Sequence, residues 1–266
     1  MVELFAEIYR KQPLVTAVAV VHVILALVML VGLAVDSRSI LGLNPWLKPF
    51  KFSVSIAIYL FTIALFMSYL PLNEKWSVRV GGTIAITMLI EIILISMQAA
   101  RGTTSHFNTT TTFDTAVFAV MGIAVAINTL MLVIVLWQYF VLQLELAPSY
   151  LWGIRLGLAI FIVASFQGFM MASRGAHTVG AADGGAGLPL VNWSTLHGDL
   201  RVAHFVGLHA LQIIPLAGYL VSGGNDPGRS SSLSMIAVFG VAGLVAGAMG
   251  WMLLQALAGK PVYGLR

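Results

Sequence analysis

The chain contains no cysteine, and this absence removes several classes of function at once. Without thiols there is no disulfide, no thiolate-ligated metal, no iron–sulfur cluster and no covalently attached c-type haem. A metal or haem site in this chain would therefore have to use histidine or oxygen ligands.

Charged residues are also scarce: they make up only 9% of the 266 residues, whereas 59% are hydrophobic. A soluble domain carries roughly 25% charged residues, so this chain cannot cover a water-facing surface. The net charge of +4 is scattered and forms no basic block of the kind that binds nucleic acid. We therefore exclude nucleic acid as a partner and expect a lipid bilayer to surround the chain.

The apolar residues form runs of about 20, the length at which a helix crosses ~30 Å of hydrocarbon. They predict an all-α fold, a polytopic transmembrane helical bundle of about seven spans that forms one integral membrane domain over residues 1–266. We expect a multi-pass protein of a bacterial inner (plasma) membrane. The predicted spans are 14–35, 50–70, 77–100, 114–142, 150–172, 200–222 and 233–257.

Seven spans put the start of the first span and the end of the last on opposite sides of the membrane, here called side A and side B. The side-B connections, 36–49, 101–113 and 173–199, are longer and richer in polar residues than those on side A. A count of basic residues slightly favours side B as cytoplasmic, whereas Arg10 and Lys11 beside the first span favour side A. We expect a cytoplasmic side A.

Two side-B connections share a pattern of residue types. A glutamine near the end of one span is followed by Arg-Gly, a histidine, and an aspartate that opens the next span. The residues are Gln98, Arg101, His106 and Asp114 after the third span, and Gln167, Arg174, His177 and Asp199 after the fifth. The pattern indicates a tandem helical-hairpin repeat of spans 3–4 and 5–6, although so short a match can also arise by chance.

Polar residues in the second to sixth spans fall on one stripe of each helix when residues are placed at 100° intervals. Such stripes either line a cavity or join helices through hydrogen bonds worth about 0.6 kcal/mol each. An ionised group in the membrane costs about 2.5–3.5 kcal/mol or more, so Glu91 in the third span is predicted to have a function. We expect it to accept a proton or to pair with an Arg or His.

Asp114 and Asp199 open the fourth and sixth spans, where a carboxylate can cap the helix and can also orient a neighbouring base. The segment Thr111-Thr112-Phe113-Asp114 has the pattern of a capping box. Together with Glu91, these two aspartates form the predicted catalytic set.

Four of the six histidines are predicted metal ligands: His106, His177, His204 and His209. His204 and His209 are separated by about 140° around their helix and do not form the i, i+4 pair of a zinc protease. A site for a metal ion or haem b would therefore be assembled from different helices. His22, alone in the first span, is predicted to be a hydrogen-bonded core residue.

A further polar set on side B is predicted to bind a small molecule, either anionic or lipidic. Its basic members could pair with haem propionates, lipid phosphates or another anionic group. The predicted ligand-binding residues are Lys51, Gln98, Arg101, Gln167, Arg174 and Arg201.

These features lead to three functional hypotheses. The first is a membrane-embedded enzyme that depends on a metal or cofactor, for example a haem oxidoreductase, with its site at the side-B ends of spans 2–6. The second is a transporter or channel for a small anion, an acid or protons, but the side-A halves of spans 4–6 are largely apolar, which favours a closed pocket over a pore. The third is an assembly or scaffolding subunit, in which the stripes only join helices.

Overall fold

A computed structural model describes residues 2–229 and 231–262 and confirms an all-α membrane bundle. Within that part of the chain there are eight α-helices, and seven of them are long and apolar enough to cross a membrane. The helices are α1 Val2–Lys11, α2 Pro13–Val35, α3 Leu47–Tyr69, α4 Glu74–Ala100, α5 Thr112–Val141, α6 Pro148–Arg174, α7 Leu200–Ser222 and α8 Ser232–Leu257. The predicted spans correspond to α2–α8, and their ends differ by no more than about three residues.

Capping residues explain where the side-B helix ends fall. Thr111 Oγ1 accepts the N–H of Asp114 at 3.0 Å, and its own hydroxyl donates to Asp114 Oδ2 at 2.6 Å, so the predicted cap is present. Asp199 starts α7 by accepting the N–H of Arg201 at 3.0 Å. Gly175, with φ of +65°, ends α6 in the left-handed conformation that glycine adopts readily.

The chain divides into two compact units, Met1–Met131 and Leu132–Arg266, with the boundary inside α5. In the first unit α3 packs against α2 and α4, and in the second α7 packs against α6 and α8. The single domain expected over residues 1–266 stays a prediction. Side chains at the centre of the first unit include Leu60, Ile63 and Ile84, and those at the centre of the second include Leu158, Leu211 and Ile214.

Small residues allow α6 and α7 to approach closely in the second unit. A Cβ added at Gly153 would lie 2.9 Å from the Ile214 carbonyl oxygen, and one added at Gly157 would lie 2.9 Å from the Ala210 carbonyl oxygen. These glycines are one turn apart on α6, the small-xxx-small arrangement by which membrane helices bring their backbones together. Close backbone packing, rather than polar contacts alone, therefore joins this helix pair.

The connection between α6 and α7 is more ordered than a flexible loop. It contains an antiparallel ribbon of two short strands, β1 Thr178–Val179 and β2 Gly198–Asp199. A Cβ at Gly198 would overlap the carbonyl oxygen of Ala256 in α8, so the ribbon lies directly on the end of that helix. Contact with α8 fixes the position of the polar residues that the connection carries.

Gly157→Ala should destabilise the protein by about 1–3 kcal/mol, because the added methyl meets the Ala210 carbonyl oxygen and the Pro215 ring of α7, which cannot move independently of that helix. The change is measured as a lower melting temperature of the detergent-purified protein. Gly240→Ala in α8 is the matched control, since no described atom lies within 4 Å of the added Cβ and alanine favours a helix. Equal melting temperatures for the two variants would contradict close packing of α6 on α7.

Candidate functional site

The polar residues predicted at side B form one cluster in each unit. The first cluster consists of two neighbouring groups, the pair Glu91 and His106 and the hydrogen-bonded set Gln98, Arg101 and Asp114. The second cluster consists of His177, Asp183, His197, Asp199 and Arg201.

Asp114 is the centre of a hydrogen-bonded group that joins the end of α4 to the start of α5. Its Oδ1 accepts from Gln98 Nε2 at 2.8 Å and from Arg101 Nη1 at 2.7 Å. Arg101 also donates to Gln98 Oε1 and lies over the Phe113 ring, 4.6 Å from its centroid. These contacts are those of a cap and an interhelical ion pair, and the catalytic role of Asp114 stays a prediction.

Glu91 has a different environment, because its carboxylate is deeply buried and incompletely paired. The residue is 4% exposed, and Oε2 has no hydrogen-bond partner in the described part of the chain. His106 Nε2 lies 3.7 Å from Oε1, which is too long for a direct hydrogen bond. A buried polar atom without a partner is costly, so Glu91 is the residue of this cluster whose burial packing does not explain.

His106 lies above Glu91 in an aromatic surrounding. Its ring centroid is 5.7 Å from that of Phe52 and 6.2 Å from that of Phe118. Burial lowers the pKa of His106 well below its usual value, and the positive charge of Lys48 lowers it further. The imidazole is therefore neutral at pH 7 and can exchange a proton with a neighbouring group.

In the second cluster, the ring of His177 faces two carboxylates, of which Asp183 is the nearer and Asp199 lies beyond hydrogen-bond distance. Its Nδ1 lies 3.3 Å from Asp183 Oδ1 and 3.8 Å from Asp199 Oδ1. Asp183 also accepts the backbone N–H of Thr178 at 2.9 Å, which fixes the turn that carries it. Histidine side chains held in this way by a carboxylate keep a defined ring orientation and a defined tautomer.

Asp199 is 1% exposed and is the most deeply buried carboxylate of this cluster. Its oxygens accept from Arg201 Nε at 2.9 Å and Nη2 at 2.6 Å, and from the Ser194 N–H at 2.9 Å. Burial acts to raise the pKa of Asp199, but the hydrogen bonds and charge of Arg201 outweigh it and hold the pKa below its usual value. Asp199 is therefore ionised at neutral pH.

The second cluster borders a small cavity, here called the loop pocket, of about 100 Å³. Gly184 and Gly185 form part of its wall, and because glycine has no side chain, a bound molecule could approach the backbone closely there. The polar residues that line the loop pocket are His177, Thr178, Asn192, Ser194, His197 and Arg201.

Several predicted site residues of the second unit lie elsewhere. Arg174 is exposed at the end of α6, and Gln167 Nε2 donates to the Leu200 carbonyl at 2.9 Å. The ring of His204 is hydrogen-bonded through Nδ1 to the Ala164 carbonyl at 2.7 Å. His209 is hydrogen-bonded in the same way to Phe205 at 2.8 Å. In the first unit, Lys51 is half-buried on α3.

No group of three or more His, Asp or Glu side chains in the described part of the chain is arranged to hold a metal ion. The metal role of the four histidines therefore stays a prediction.

Sequence reasoning offers His197 as a possible contributor to a metal site and Asp183 as part of a Gly-rich anion-binding nest, but selects neither as a site residue. Both lie in a Gly-rich connection that resembles an ordinary flexible loop, and only the path of the ribbon brings them beside His177. The one feature of the sequence that could have indicated these two residues is the density of polar residues between the two strands.

No known protein family, curated protein or solved structure matches this chain.

The stability of the protein should depend on pH through His106. Its pKa is lower in the folded state than the 6.5 of a free histidine, so the unfolded chain binds the proton more tightly and stability is lost as pH falls below 6.5. We expect a fall in melting temperature between pH 7 and pH 5, with a contribution of up to ~1.4 kcal/mol per pH unit from this residue. His106→Gln should remove this contribution.

His209, half-buried on α7 and outside both clusters, provides the matched control, because His209→Gln removes a histidine without changing the Glu91–His106 pair. Identical pH dependence of the melting temperature in the wild type and His106→Gln would show that His106 is not held neutral by the fold.

Proposed function

We propose that this polytopic membrane protein is an enzyme that performs acid–base chemistry on a small polar substrate in the loop pocket. His177 is the proton-transferring group. The observation that carries the proposal is the position of His177 Nδ1, which faces the carboxylates of both Asp183 and Asp199.

Two carboxylates beside Nδ1 favour a proton on that nitrogen and leave Nε2 as the acceptor. They also stabilise the imidazolium that forms when Nε2 takes a proton from the substrate. An oriented histidine of this kind can act first as general base and then as general acid, which typically contributes 10²–10⁴-fold in rate. Asp183 and Asp199 are positioning residues in this scheme.

Arg201 and His197 supply the polar contacts that would hold the substrate. Arg201 uses Nε and Nη2 to bind Asp199, so the guanidinium is fixed in the wall of the loop pocket. Its charge is offset by Asp199, and Asp183 adds a second negative charge. A neutral or singly charged polar substrate therefore fits better than a polyanion. Of the anionic or lipidic ligands expected from the sequence, those with several negative charges are therefore disfavoured.

The size of the loop pocket bears on the cofactor hypothesis. A volume of about 100 Å³ is below the ~300–1,000 Å³ of pockets for drug-sized ligands. Haem b would not fit there, whereas a small functional group or a single metal ion would. A metal ion bound by His177 and His197 is the form of the cofactor hypothesis that this pocket can accommodate.

Transport of protons or a small acid is a second candidate function, and a separate observation favours it. Glu91 places a buried carboxylate with an unpartnered oxygen inside α4, with the neutral His106 at 3.7 Å. Ionisable residues inside spans commonly mark proton and ion pathways.

His177→Gln should abolish turnover of whichever substrate the wild type accepts from a panel of small esters, amides and phosphate esters. We expect a loss of roughly 10²–10⁴-fold in kcat, because glutamine cannot carry the proton. His209→Gln should retain full turnover, and Asp183→Asn should shift the pH profile. Elemental analysis of the same preparations distinguishes the metal form, in which stoichiometric zinc or copper would be lost with His177. Unchanged turnover in His177→Gln, or no turnover by the wild type, contradicts the enzyme proposal.

Glu91→Gln should reduce proton flux into vesicles containing the purified protein to the level of protein-free vesicles, if the second function holds. A pH-sensitive dye inside the vesicles reports the flux. Glu145→Gln removes an exposed carboxylate and should leave the flux unchanged. Wild-type flux in the Glu91 variant would exclude Glu91 from a proton pathway.

A further inference from the structure

A second cavity lies at the side-A end of the first unit, where α1 meets α2 and the turn between α3 and α4. Its volume is about 580 Å³, within the ~300–1,000 Å³ typical of small-molecule pockets. Arg10, Lys11 and Glu74 are its charged residues. The apolar residues that line it include Leu14, Val15, Met67, Leu70 and Val78.

The ends of three spans border this cavity, which we call the side-A pocket. Helix α2 begins at Pro13, α3 ends at Tyr69 and α4 begins at Glu74. Span ends lie where the hydrocarbon gives way to lipid headgroups, and exposed aromatic residues such as Tyr9 and Trp76 are typical of that depth. The side-A pocket is therefore at headgroup level.

Helix α1 has the character of a helix that lies in the membrane interface. At 100° per residue, its apolar residues cover an arc of roughly 200° and its charged residues one of roughly 100°. Ile8 is buried and the Phe5 ring packs 6.2 Å from Phe61, so the apolar side faces the protein and the lipid. Arg10 and Lys11 end the helix beside the pocket.

The polar groups of the side-A pocket are held in place by contacts with the spans. Lys11 Nζ donates to the Ser68 carbonyl at 3.0 Å and pairs with Glu7 at 2.9 Å. Gln12 is 5% exposed, and its Nε2 donates to Ser77 Oγ at 2.7 Å. The end of α1 is thus fixed to both α3 and α4, which preserves the cavity between them.

We propose that the side-A pocket binds one phospholipid of the phosphatidylethanolamine type. Arg10 and Lys11 take the phosphate, Glu74 takes the primary amine, and an acyl chain follows the apolar wall at Leu14 and Val78. The charges carry this choice, because the two cations of the pocket are balanced by Glu74 and by Glu7, the ion-pair partner of Lys11, and so match a headgroup of both signs better than a purely anionic one.

The test is titration of the purified full-length protein with short-chain phosphatidylethanolamine, phosphatidylcholine and phosphatidylglycerol, followed by native mass spectrometry. The wild type should bind phosphatidylethanolamine most tightly. Arg10→Gln should weaken binding about fivefold, the effect of one basic residue at a membrane surface. Glu74→Gln should remove the preference over phosphatidylcholine, whose quaternary ammonium cannot donate a hydrogen bond.

Arg79→Gln is the matched control, because Arg79 is an exposed side-A arginine that does not line the pocket. Val78→Trp should block binding by filling the cavity without a change of charge, while the melting temperature reports that the variant is folded. Equal binding of all three lipids, an equal effect of the Arg10 and Arg79 substitutions, or displacement of the lipid by inorganic phosphate would overturn the proposal.

Discussion

Water is absent from the hydrocarbon that the seven spans cross, so each polar group there needs a partner within the protein. Hydroxyl groups meet this need inside their own helix: Thr16 and Ser165 each donate to the carbonyl four residues earlier, at 2.8 and 3.0 Å. Arg155 donates through Nε and Nη2 to the Tyr139 carbonyl and lies beside the Trp152 ring. Much of the polar content of the spans is therefore structural.

The same constraint identifies the polar groups that packing does not explain. Four buried side-chain atoms have no hydrogen-bond partner in the described part of the chain, and they belong to His22, Glu91, Gln167 and Gln255. Three of these residues, His22, Gln167 and Gln255, are an imidazole and two neutral amides, and each makes a hydrogen bond through its other polar atom. Glu91 is the carboxylate among them, and an unpaired carboxylate oxygen costs more to bury than an amide oxygen. Of these four residues, Glu91 is therefore the one whose burial packing explains least.

Sequence alone was sufficient for the spans, because about 20 apolar residues in a chain with 9% charge have no other stable arrangement. It was insufficient for side-chain pairing. Alignment of the two connections matches Arg174 with Arg101, yet Asp199 pairs with Arg201, two residues away on the same helix start. It also missed α1, since a helix of ten residues is too short to span a membrane and its apolar residues do not form one continuous run.

The two connections also show why the second cluster is the better candidate for chemistry. In both, a glutamine near the end of one helix reaches the start of the next: Gln98 donates to Asp114 and Gln167 to the Leu200 carbonyl. The first connection is short, and the carboxylate beside its histidine, Glu91, lies within the span. The second contains an insertion that supplies its own carboxylate, Asp183, and a cavity outside the hydrocarbon. A histidine there can exchange protons with water and a polar substrate without the cost of bringing either into the membrane.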